Sequence, residues 1–144
     1  QTFIGWWFRQ LLEGQTLTIF GDGLQVRDFN YIDDVVEALL MVAATEAADG
    51  QIYNLGSDDP INLINLARLL IEINGGGQYE LRPFPTDRKR IDIGDYYGDY
   101  RRIRSKLGWR PLVGLRDGMT RSLDYFRQHL EHYICWPIPN ASPW

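Results

Sequence analysis

A chain of 144 residues, 44% hydrophobic and 24% charged, can bury one core and is short for two, so one globular domain is expected. The 15 basic and 19 acidic residues give a net charge of −4, which argues against nucleic acid as the main partner, because neutralising phosphates needs clustered excess positive charge. No apolar run approaches the length of a bilayer span, so no membrane partner is expected; the lone Cys135, with no second cysteine to bridge to, suits a reducing, cytoplasmic setting.

In chain order, the start Gln1-Thr2-Phe3-Ile4 lacks a methionine and a basic signal-peptide head, as if cut from something longer. Phe3, Ile4, Trp7, Phe8, Leu11 and Leu12 form one helical stripe with Gly14 as its stop. Leu17-Thr18-Ile19-Phe20 is a short β-prone run closed by Gly21-Asp22-Gly23, which fits a hairpin or an edge strand. Asp34 and Glu37 have the spacing of a capping box at the head of a helix carrying Val35, Val36, Leu39, Leu40 and Val42 and fading near Ala48-Asp49-Gly50. Gln51-Ile52-Tyr53-Asn54-Leu55-Gly56 reads as a buried strand.

Asn62 is placed to cap a helix with Leu63, Leu66, Ala67, Leu69, Leu70 and Ile73, ended by Asn74-Gly75. Tyr79-Glu80-Leu81-Arg82-Pro83 alternates like a strand shortened by its proline. Asp99 suits the cap of a short helix with Ile103 and Leu107 on one face and Gly108 as its stop. A last helix carries Leu115, Met119, Leu123, Phe126 and Leu130. The segment 134–144, with three prolines and two tryptophans, reads as a tail. The class is α/β, mostly helical with a few short strands.

Arg27 stands among acids ahead of a helix, in Arg27-Asp28-Phe29-Asn30-Tyr31-Ile32-Asp33-Asp34. Its guanidinium is a permanently charged planar fork matched to phosphate or carboxylate oxygens. Two readings stand: an ion pair with Asp28, Asp33 or Asp34, or a site for an external anion. The run Arg88-Lys89-Arg90 is either a solvated loop or, if the fold brings it to Arg27, the second half of a diphosphate clamp. The acids and tyrosines of 92–100 match no calcium loop and read as structural. Gly21-x-Gly23 lacks the third glycine of a dinucleotide fingerprint and reads as a turn. His129 and His132 lie three apart without an evident third ligand, so no metal is expected, and Cys135 has no evident partner base.

Together, Ile19-Phe20-Gly21-Asp22-Gly23, Arg27-Asp28-Phe29, Tyr31-Ile32-Asp33-Asp34-Val35-Val36-Glu37-Ala38, Tyr53-Asn54-Leu55-Gly56-Ser57, Asp92-Ile93-Gly94-Asp95, Asp99 and Leu107-Gly108-Trp109-Arg110-Pro111 resemble the C-terminal part of the NAD-dependent epimerase/dehydratase family, the extended short-chain dehydrogenases that act on nucleotide-diphosphate sugars. The resemblance runs from about Thr2 to Tyr133. It implies a sugar-nucleotide-binding subdomain over 1–133, followed by the tail 134–144. It also implies that Arg27 and Arg90 hold the substrate diphosphate and that Asn54 ends a strand packed beneath the site.

The family's glycine-rich NAD loop and tyrosine-lysine catalytic pair have no counterpart in these 144 residues. The resemblance therefore implies no catalytic residue and no cofactor within this chain, NAD belonging to the intact family. The expectation is a truncated epimerase or dehydratase region that does not catalyse alone. Two alternatives remain: a stand-alone module binding nucleotide-diphosphate sugars, or a structural remnant complementing a separate Rossmann chain. A homo-oligomer is expected through Phe3, Ile4, Trp7 and Phe8, the stripe most in need of a partner.

Overall fold

The structure is a computed structural model that describes residues 2–85 and 93–134. The expected second basic group, Arg88-Lys89-Arg90, and the tail from Cys135 onward lie outside the described residues. The elements in chain order are α1 (Phe3–Leu12), β1 (Leu17–Phe20), β2 (Val26–Arg27), α2 (Ile32–Ala43), a 3₁₀ turn (Glu46–Ala48), β3 (Ile61–Asn62), α3 (Leu63–Asn74), β4 (Tyr79–Arg82), α4 (Arg101–Leu107), α5 (Leu115–Gln128) and α6 (Leu130–Ile134). The chain is α/β, with helices outweighing four short strands among the described residues. It divides into two compact units, one formed by 1–24, 62–93 and 119–144, the other by 25–61 and 94–118.

In the first unit, α1 packs against β1 and α3. Trp7 and Phe8 are buried, with Trp7 Nε1 donating to the Thr18 carbonyl at 3.2 Å and the Phe8 ring 5.2 Å from Phe126. This corrects the expected contact between copies: Trp7 and Phe8 are consumed inside the chain, and Phe3 and Ile4 are half-buried. The stripe was read correctly as apolar, but its partners are β1 and α3, which periodicity alone cannot identify.

β1 lies parallel to β4 with Leu17 opposite Tyr79 and Ile19 opposite Leu81. A parallel pair cannot be a hairpin, because a tight turn reverses the strand. Asn62 Oδ1 caps α3 by accepting from the Asn65 N–H at 2.8 Å, as its position predicts. Gly75 ends that helix at φ 78°, a left-handed conformation that only glycine adopts without strain.

The second unit is built on Ala38 of α2, Tyr100, Ile103 of α4 and Trp109, with Met41, Val42, Tyr53, Leu55 and Leu107 packed around them. Tyr100 and Trp109 meet edge to face at 5.8 Å. β2 pairs with β3. The expected capping box at Asp34 does not form. α2 begins at Ile32 after Tyr31, so Asp34 sits inside the first turn. Its buried carboxylate accepts instead from the N–H groups of Leu112 (3.1 Å) and Val113 (3.0 Å), while its carbonyl accepts from Trp109 Nε1 at 3.0 Å. Charge-assisted bonds to a distant loop outcompete a local cap.

No strand forms at 51–56. Gln51 and Ile52 are exposed, and no strand among the described residues lies beside them; Arg102 reaches this run, donating to the Ile52 carbonyl at 2.9 Å. A β-prone run becomes a strand only where a neighbour supplies the ladder. Among the described residues, no helix is long and apolar enough to cross a membrane.

Candidate functional site

Arg27 is half-buried at the end of β2. Segment 94–98 runs alongside: Tyr96 bridges Arg27 in parallel and its N–H donates to the Val26 carbonyl at 3.0 Å, while Asp95 Oδ1 accepts from the Val26 N–H at 2.8 Å. The Arg27 Nη1 donates to the carbonyls of Val26, at 2.8 Å, and Gly94. Both contacts help to orient the guanidinium.

Two of the three acids considered as ion-pair partners are committed to backbone amides. Asp28 Oδ2 accepts from the N–H groups of Gly98 at 2.9 Å and Ser57 at 3.2 Å, and Asp34 holds Leu112 and Val113. The third, Asp33, is exposed in the first turn of α2, where a carboxylate favours the positive helix end. Asn54 is exposed two residues ahead of Gly56, and Arg90 lies outside the described residues.

The described acids of 93–100 bond to the protein itself, but the cap of α4 is Tyr100 and not Asp99 as expected. Asp99 accepts from the Arg101 N–H at 3.0 Å and pairs with its guanidinium, which holds the carboxyl down at about 2. Tyr100 donates to Asp58 Oδ1 at 2.5 Å, and that bond, with burial second, raises the phenol above its ordinary range. Tyr100 therefore stays protonated at neutral pH. His129 and His132 stack with ring centres 6.0 Å apart.

What sequence reasoning missed is the holding set of Asp28, Asp95 and Gly98. No spacing rule joins positions 28, 57 and 98; the one visible sign was a glycine, Gly98, inside an otherwise bulky tyrosine run.

Residues 1–56 match the NAD dependent epimerase/dehydratase family. UDP-glucuronic acid decarboxylase 1 of Xenopus tropicalis is 34% identical over 139 residues, covering 90% of this chain and 31% of the relative. The dTDP-glucose 4,6-dehydratase of Streptomyces griseus is 32% identical over 119 residues, 83% of this chain and 35% of the relative. The crystal structure of UDP-glucose 4-epimerase from Thermotoga maritima, solved with UDP-glucose, matches with a TM-score of 0.76 and 32% identity, over 90% of this chain and 40% of that one.

The chain thus spans about a third of the length of the curated relatives it matches. The Gly21-Asp22-Gly23 turn runs into β2, whereas pyrophosphate binding at such a loop needs the amides of a helix start. By the sequence match over residues 1–56 and the fold it shares with these relatives, the chain is similar to part of the NAD dependent epimerase/dehydratase family.

Proposed function

We propose that this chain is the substrate-diphosphate-binding portion of a nucleotide-sugar epimerase, dehydratase or decarboxylase, and that its 144 residues do not catalyse by themselves. The observation that carries this reading is that all three relatives take their names from, or are solved with, a sugar on a nucleoside diphosphate. Their shared element is a pyrophosphate, and Arg27 is the cation that the second unit orients with backbone carbonyls. Arg27 takes the role of diphosphate ligand, Arg90 that of its second cation, and Asn54 that of a further substrate-binding residue, in a cytoplasmic protein.

Calorimetric titration with UDP and UDP-glucose tests the reading. Arg27→Ala is expected to weaken binding by about 1.5–3 kcal/mol, roughly ten- to hundredfold, as for a charge-assisted hydrogen bond. Equal affinity for wild type and variant removes Arg27 from the site.

A second reading rests on α2. Ile32, Val36, Leu39 and Leu40 are exposed along it, and Ile52 is exposed too. A helix face this apolar marks a contact surface. The partner that fits is a separate polypeptide carrying the glycine-rich half of the family. Mixing the two should restore turnover of a UDP-sugar, and Leu39→Glu with Leu40→Glu should abolish the complex in sedimentation. Activity on mixing that survives both substitutions excludes this surface.

A further inference from the structure

Three segments distant in sequence meet at one carboxylate oxygen. Asp28 Oδ2 takes the N–H groups of Gly98 and Ser57 together, and the backbones around it approach more closely than side chains permit. A Cβ on Gly98 would lie 2.0 Å from the Leu55 carbonyl oxygen, and one on Gly56 would lie 2.3 Å from the Gly98 carbonyl oxygen and 3.2 Å from Asp28 Oδ2. The segment pinned in this way receives Arg27 at the Gly94 carbonyl and holds the neighbouring Val26 backbone through the Tyr96 amide and the Asp95 carboxylate. A guanidinium needs no help to stay charged, but its direction depends on the groups that receive it, the Gly94 carbonyl among them.

We infer that Asp28 is the positioning residue of the Arg27 site: by tying the Ser57 and Gly98 amides to one oxygen, it fixes segment 94–98, which in turn orients the guanidinium, and it does so without touching the ligand. Its consequence for affinity rests on the diphosphate reading above; its geometry does not. Because both donors converge on a single oxygen, asparagine, which keeps a carbonyl oxygen, can replace aspartate, and alanine cannot.

The test combines amide hydrogen exchange by NMR with UDP titration in wild type, Asp28→Ala and Asp28→Asn. In Asp28→Ala, exchange should accelerate at least roughly tenfold at Ser57, Gly98 and also Tyr96, which makes its own bond to Val26, while Leu112, held by Asp34, stays protected. UDP affinity should fall about tenfold, and asparagine should bring exchange and affinity back to within about threefold of wild type. If Tyr96 exchange is unchanged, or if Leu112 accelerates equally, Asp28 merely stabilises the unit and the inference is overturned. Should Asp28→Ala fail to fold, Asp28→Glu, which keeps the charge but displaces the carboxylate by a methylene, carries the same expectation at Tyr96. If wild type binds no UDP, the diphosphate reading falls alone, and the exchange pattern still decides the role of Asp28.

Discussion

Trp109→Ala is expected to destabilise the unit formed by 25–61 and 94–118 by about 3–5 kcal/mol, the range for deleting a large buried aromatic whose cavity cannot collapse. Trp109 is 1% exposed, packs edge to face on Tyr100, and donates its indole N–H to the Asp34 carbonyl. It thus joins the centre of that core to the first turn of α2. Trp109→Phe keeps most of the apolar volume and loses the bond, so it should cost roughly 1–3 kcal/mol, for the lost buried hydrogen bond and the partial cavity. Urea denaturation followed by far-ultraviolet circular dichroism measures both. Trp109→Ala with an unchanged midpoint would show that the core is held elsewhere. Since Arg27 belongs to the same unit, loss of its orientation should accompany the loss of stability.

The second large effect is expected at Gly98. With a Cβ 2.0 Å from the Leu55 carbonyl oxygen, Gly98→Ala cannot be relieved by a rotamer change; one backbone must move away from the other. The cost should reach about 3 kcal/mol, the upper part of the overpacking range. Gly94 is the control on the same segment. It adopts φ 64° with nothing within 4 Å of a Cβ, so Gly94→Ala should cost only the left-handed torsional penalty, about 1–2 kcal/mol. Thermal unfolding of the pair should therefore rank Gly98→Ala below Gly94→Ala. The reverse order would mean that the crossing of 55–56 with 98 is looser than a 2.0 Å approach requires, which would also weaken the assignment of Asp28.

The helices were legible because their signals are local. The stripe of Phe3 to Leu12, the Asn62 cap and the glycines at 75 and 108 each act within a turn or two of chain, and each element formed where its residues placed it. Misreadings came where one residue had two offers. Asp34 had the spacing of a local cap but received two amides from residues 78 and 79 positions away. The run 51–56 had the composition of a strand, but a strand also needs a neighbour. β1 had the look of a hairpin arm, yet its partner, β4, begins at Tyr79, beyond α3.

The candidate site divides in the same way. Arg27 could be singled out from the sequence because a cation amid acids is a chemical oddity wherever it folds, and the surrounding pattern carried the resemblance to the family. Its surroundings could not be read. That Asp28 serves the backbone amides of Ser57 and Gly98 depended on where residues 55–57 and 94–98 came to lie, in the unit whose core holds Tyr100, Ile103 and Trp109. The sequence by itself determined the existence of most helices, the glycine stops at 75 and 108, the resemblance to the family and the choice of Arg27 as a candidate, all of which depend on residue type and short spacing. Only the tertiary structure decided what holds that cation, because hydrogen bonds between segments tens of residues apart are settled by how the chain packs.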